Sequence, residues 1–257
     1  MKKYTRPLIV GNWKSTPATC KEGEQFVKRL EKKIKAVRTD LPKKAYLLAV
    51  PEIFIPSLLP LASRGSIGAQ TIHGIVVGQV TGATTAKQLR SSGASFAIIG
   101  HSEVRARGES VMERGTKVLQ SLSCGLTSVV CFGEKTRDKE GEYLEWLEND
   151  VKQTLQNINR DLFKNLIVAY EPVWAIGGVS PATAAQCFEA VIAIRRALAS
   201  LGGIDHAKKV KILYGGSVAK DTAVSFLVEG GVDGLLLGRA SQDATSFFEI
   251  LHVTAKY

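Results

Sequence analysis

Long apolar runs are missing from this 257-residue chain. Nothing in it approaches the ~18–20 residues that a membrane-spanning helix needs, so no membrane role is expected. Lys2, Lys3 and Arg6 open the chain, but only Leu8-Ile9-Val10 follows, too short for a secretory signal core. Cysteine is scarce. Cys20, Cys124, Cys131 and Cys187 include no Cys-x-x-Cys pair, and no histidine stands near them at zinc-site spacing. Free buried thiols, a reducing cytoplasm and no bound metal are expected. Linkers and low-complexity segments are also absent, so residues 1–257 are expected to form one domain.

Acidic residues are short in one region only. Residues 1–44 hold 13 Lys and Arg against 4 Asp and Glu, whereas the remainder holds 21 against 20. The excess lies mostly in 21–44, where Phe26, Val27, Leu30, Ile34 and Val37 recur at helical spacing with lysines between. That pattern predicts an amphipathic helix with a solvated basic face. No aromatic-rich binding motif accompanies it, so no nucleic-acid partner is expected.

What the chain does have is short apolar runs: Leu8–Val10, Ala45–Val50, Ile67–Ala69, Phe96–Ile99, Ser128–Phe132, Leu166–Tyr170, Lys211–Tyr214 and Gly234–Leu237. Most lack polar alternation, as strands buried on both faces do. Amphipathic stretches lie between many of them, at Glu109–Ser123, Glu142–Ile158 and Pro181–Leu201, the last with Ser180-Pro181 as its expected start. Eight such runs over this length predict an α/β fold, a (β/α)8 barrel of eight parallel strands surrounded by helices. A doubly wound sheet is the alternative.

In a barrel, all the strand C-termini open onto one face. Asn12 and Lys14 follow the first run, Gln70 the third, His101 the fourth, Glu134 the fifth and Glu171 the sixth. Gly215-Gly216-Ser217 and Gly238-Arg239 follow the last two, where bare backbone N–H groups suit a phosphate. Glu171 and His101, with Lys14 and Asn12, suggest cofactor-free proton transfer beside a carbonyl. The carboxylate would take the proton while a neutral imidazole and a cation stabilise the developing oxyanion. A helix start after His101 would keep its ring neutral.

Taken in order, Gly11-Asn-Trp-Lys14, Gly68-Ala-Gln70, Thr81-Gly82, Gly100-His-Ser-Glu103, Cys131-Phe-Gly-Glu134, Ala169-Tyr-Glu-Pro-Val-Trp-Ala-Ile-Gly177, Tyr214-Gly-Gly-Ser-Val218 and Asp233-Gly234 resemble the triosephosphate isomerase family along essentially the whole chain. The resemblance implies Glu171 as base, His101 as neutral electrophile, and Lys14 and Asn12 as enediolate stabilisers that also position substrate. It implies Glu103 as a carboxylate supporting Lys14 and His101. Backbone N–H groups of Gly177, Ser217, Gly238 and Arg239 would bind phosphate, and residues 172–182 would form a mobile lid. The implied activity is interconversion of dihydroxyacetone phosphate and glyceraldehyde 3-phosphate, without cofactor, in a homodimer. Isomerisation of a tetrulose phosphate and a non-catalytic phosphate-binding barrel are the alternatives.

Three positions depart from the family pattern. Arg239 stands where the family has a second glycine after the eighth strand. Gly178-Val179-Ser180-Pro181 replaces the usual end of the lid. Ala83 and Val104 replace a Glu and an Arg that pair across the family's dimer interface.

Overall fold

The computed structural model describes residues 6–37, 41, 44–74, 80–176 and 181–257. Eight parallel strands close into a barrel: β1 (Leu8–Asn12), β2 (Tyr46–Val50), β3 (Gly65–Ala69), β4 (Phe96–Ile99), β5 (Thr127–Phe132), β6 (Leu166–Tyr170), β7 (Lys211–Tyr214) and β8 (Gly234–Leu237). Each pairs with its sequence neighbour, and β8 returns to β1 with Gly234 opposite Leu8. That closure excludes the doubly wound alternative, whose sheet keeps two open edges.

The helices are α1 (Cys20–Ala36), α2 (Ile55–Leu58), α3 (Ala86–Ser91), α4 (Ser102–Arg105), α5 (Val111–Ser123), α6 (Glu142–Leu155), α7 (Ala184–Gly202), α8 (Ile204–Ala207), α9 (Ala223–Val228) and α10 (Ala244–Thr254). In α1, Phe26, Val27, Leu30 and Ile34 are buried while Lys21, Lys28, Arg29, Lys32 and Lys35 are exposed, the solvated basic face that the pattern predicts. α7 corrects the expected start at Ser180-Pro181. Thr183 caps it instead, because Gln186 stands three residues on and completes a reciprocal capping box. Ser180 itself lies outside the described residues.

Apolar side chains form two cores. One fills the layer between sheet and helices. The other gathers Val10, Ala49, Phe96, Ile98, Val129, Cys131, Ile167, Ala169, Leu213 and Leu236. These residues alternate along their strands, as in Phe96/Ile98 and Ile167/Ala169, so they mark the side chains that point into the barrel.

Between α5 and α6, Arg114 and Asp150 form an ion pair, both largely buried. Arg114 Nε also donates to Thr154 Oγ1 at 3.1 Å, and the guanidinium lies 5.0 Å from the centre of the Phe132 ring. Removing one partner strands a charge away from water. Asp150→Ala is expected to lower the unfolding free energy by about 3–5 kcal/mol, read by urea denaturation, and Arg114→Met/Asp150→Leu to recover most of it. A loss below about 1 kcal/mol would mean that water reaches the guanidinium, as at a surface pair.

Candidate active site

The inward alternation runs on past the strand ends. Two residues beyond Val10 comes Asn12, and two beyond Ala169 comes Glu171. Two beyond Cys131 and Leu213 come Gly133 and Gly215, which flank Glu171. A Cβ at Gly133 would lie 1.8 Å from the Glu171 carbonyl oxygen, and one at Gly215 2.9 Å from its Cγ. Only glycine fits at the first of these, and at the second it leaves the carboxylate room.

Glu171 is 1% exposed. Its Oε2 accepts from the Ser102 backbone N–H at 3.0 Å, and its Oε1 lies 3.2 Å from His101 Nε2. The Cys131 thiol lies close to the same carboxylate. Burial, with the Glu171 charge adding to it, holds that thiol's pKa well above its ordinary value, so it stays a protonated donor. Cys187 is also buried, and burial pushes its thiol up to about 12. Cys20 and Cys124 are only partly buried, contrary to the expectation of four buried thiols, and all four cysteines are free.

His101 caps α4, and its Nδ1 accepts from the Glu103 backbone N–H at 3.2 Å. A ring nitrogen that accepts carries no hydrogen, so the ring is neutral and its proton sits on Nε2, which stands 3.2 Å from Glu171 Oε1. The Glu103 carboxylate is 3.9 Å from Nδ1, out of hydrogen-bond range. It pairs instead with Lys14 Nζ at 2.5 Å. Burial pushes the Glu103 carboxyl up, but the Lys14 hydrogen bond and charge outweigh this and set its pKa below the usual value.

Among the described residues, Lys14 is the one non-glycine residue with positive φ, at 56°. This strained backbone is held by its surroundings. Lys14 N–H donates to Asn12 Oδ1 at 3.0 Å, and Gln70 Nε2 donates to the Lys14 carbonyl at 2.6 Å. Ser241 ties the β8 loop to this corner, with its Oγ within 3.1 Å of the Asn12 carbonyl and 2.7 Å of the Gly238 carbonyl.

Asn12, Lys14, His101, Glu171, Ser217, Gly238 and Arg239 line one cavity of about 740 Å³. Among the described residues, the backbone N–H groups of Gly216 and Ser217 have no acceptor. Such bare donors beside a cavity suit an oxyanion. Arg239 has no positive φ, so its replacement of glycine carries no left-handed strain. Its side chain is exposed and bonds to no described residue. Gly177, the remaining residue of the expected phosphate site, lies outside the described residues with 178–180 of the expected lid.

Glu134 Oε1 accepts from Trp174 Nε1 at 2.7 Å, Tyr170 Oη at 2.8 Å and Arg137 Nε at 2.9 Å. Arg137 also reaches the Gln186 carbonyl on α7 at 3.0 Å, so it fastens Trp174, at the start of the expected lid, to a rigid helix. The sequence reading missed Arg137. Its signal was a buried carboxylate at Glu134 needing a cation, with Arg137 three residues on. Ser102 was missed too, because a backbone donor leaves no mark in residue type.

Comparison with known proteins places the chain in a family. The family model described as triosephosphate isomerase matches residues 7–254. The triosephosphate isomerase of Thermoanaerobacter pseudethanolicus is 35% identical over 96% of this chain and 99% of its own length. That of Clostridium botulinum (strain Loch Maree) is 34% identical over 95% and 98%. The crystal structure of triosephosphate isomerase from Bartonella henselae superposes with a TM-score of 0.83 at 31% identity, over 97% of this chain and 99% of that one. The chain belongs to the triosephosphate isomerase family.

Proposed function

We propose that the chain, as one barrel domain, interconverts dihydroxyacetone phosphate and glyceraldehyde 3-phosphate, a step of glycolysis and gluconeogenesis, through an enediolate. The observation that carries this reading is the neutral His101 ring with its Nε2 3.2 Å from the buried Glu171 carboxylate, in the cavity that Lys14 also lines. Glu171 abstracts the carbon-bound proton next to the carbonyl and returns it to the neighbouring carbon. His101 Nε2–H and the Lys14 ammonium stabilise the oxygen on which charge develops, and the hydroxyl proton passes to the former carbonyl oxygen through His101 Nε2 as the carbonyl changes carbon. Asn12 fixes the Lys14 backbone, and Glu103 steers its ammonium. Backbone N–H groups of Ser217, Gly238, Arg239 and Gly177 hold the phosphate.

Without substrate, Glu171 Oε2 accepts from Ser102 N–H, and its Oε1 stands 3.2 Å from His101 Nε2. Substrate entering beside them takes the Nε2–H on its oxygen and meets Glu171 at its reacting carbon. The lid over residues 172–182 excludes water from the enediolate during that step.

The four free cysteines support a cytoplasmic location. A homodimer is the proposed assembly. Ala83 and Val104, both partly buried, give its interface a small apolar contact in place of an ion pair.

Three measurements test the reading. Glu171→Asp retracts the base by one methylene, and kcat on either triose phosphate is expected to fall about 100-fold or more with KM little changed. An unchanged kcat, or activity confined to tetrose phosphates, would overturn the assignment. Arg239→Gly is expected to move KM less than about threefold, since the phosphate contact is backbone. A tenfold rise, worth about 1.4 kcal/mol, would assign the contact to the guanidinium. Sedimentation at micromolar protein is expected to give a dimer, and a fully active monomer would reject the apolar-contact account.

A further inference from the structure

The N-terminal end of the barrel, opposite the catalytic mouth, holds a second cavity of about 310 Å³. Strands of five residues put roughly 16 Å of barrel between the two ends. Its wall is assembled from chain segments far apart in sequence. Ser66 and Thr127 stand at the starts of β3 and β5, and Ser95 immediately precedes β4. Lys211 begins β7, Lys209 lies two residues before it, and Lys164 comes from the 3-10 turn Arg160–Asn165 that leads into β6. Phe96 and Ile167, from the barrel's inner core, contribute to an apolar floor.

Three cations thus ring one concavity, and no carboxylate lines it among the described residues. Elsewhere lysines find acids: Lys28 with Glu24, Lys117 with Glu109, Lys152 with Glu148 and Lys220 with Glu249. The ammonium groups of Lys164, Lys209 and Lys211 bond to no described residue. Ser95 Oγ donates its proton to the Ile67 carbonyl, but the Ser66 and Thr127 hydroxyls have no described partner and are free to donate. Like charges around a concave, partly apolar surface focus a positive potential there. Lysine suits a phosphate as a compact point charge with three donors.

We propose that this basal cavity is a binding site for a small polyanion carrying two or more linked phosphate groups. Three separate ammonium groups with two free hydroxyls exceed what one phosphate engages. The cavity volume is at the lower end of small-molecule sites, which favours a compact ligand.

Calorimetric titration with inorganic triphosphate, with the mouth saturated by glycerol 3-phosphate, tests the proposal. The wild-type protein is expected to retain a triphosphate site. Lys164→Gln/Lys209→Gln/Lys211→Gln is expected to weaken it about 30-fold or more and leave isomerase kcat/KM unchanged. Lys21→Gln/Lys32→Gln/Lys35→Gln, an equal charge loss on the exposed face of α1, is expected to change it less than about threefold. In the unmutated protein, triphosphate is expected to slow acetylation of Lys211 selectively over Lys32, read by peptide mass spectrometry. Wild-type-like binding by the basal variant, equal weakening by the α1 variant, loss of all binding under glycerol 3-phosphate, or equal protection of both lysines would each overturn it.

Discussion

A carboxylate 1% exposed to solvent has to be held by polar neighbours, and at Glu171 those come from outside its own strand. Ser102, whose N–H donates to it, and His101, 3.2 Å away, belong to the loop and short helix after β4, and Cys131 to β5. The neighbouring glycines, Gly133 and Gly215, belong to the ends of β5 and β7. None of these groups reaches Glu171 unless the strands are parallel, adjacent and in this register. Phe132 opposite Tyr170, and Tyr170 opposite Tyr214, are the pairings that fix it. A slip of one residue would point Glu171 into the helix layer and an apolar neighbour into the mouth. The chemistry therefore depends on barrel closure as directly as on the residue that performs it.

Rigidity is distributed unevenly around that centre. Lys14 holds a positive φ because Asn12 and Gln70 bond its backbone on both sides, while Glu103 anchors its ammonium. His101 is fixed at Nδ1 by the Glu103 N–H, and that bond decides that Nε2 carries the proton. Glu171 differs, since one backbone donor, Ser102 N–H, holds one of its oxygens. In the proposed reaction the electrophile is therefore pre-organised, and the base keeps an oxygen for the substrate. This division suits a reaction in which the oxyanion site must not reorganise while the base moves a proton between two carbons.

The barrel was legible because apolar runs separated by amphipathic segments constrain few architectures, and seven of the eight strands begin within one residue of the run that predicts them. Asn12, Lys14, His101 and Glu171 were legible because each comes within four residues of the end of a run, and strand polarity sends such residues to one face. What escaped is what depends on backbone donors or on pairing across loops. The start of α7 turned on a capping box at Thr183 and Gln186, which outweighed the Ser-Pro signal before it. Arg137 escaped because its partners Glu134, Tyr170 and Gln186 lie on three segments.

Charge is the clearest case of this limit. The excess of lysine in the first 44 residues is conspicuous in sequence, yet α1 spreads it along an outward helix face where water solvates each head. Lys164, Lys209 and Lys211 raise no local density of that kind, and Lys164 is 45 residues from Lys209. Barrel closure brings the starts of β6 and β7 side by side and joins these lysines around one cavity. Potential depends on separation in space, not on count along the chain. The same closure that carries Asn12, His101 and Glu171 to the mouth therefore also concentrates positive charge at the opposite end. Among the described residues the two cavities share no side chain, so selection can alter the basal cavity without moving Glu171.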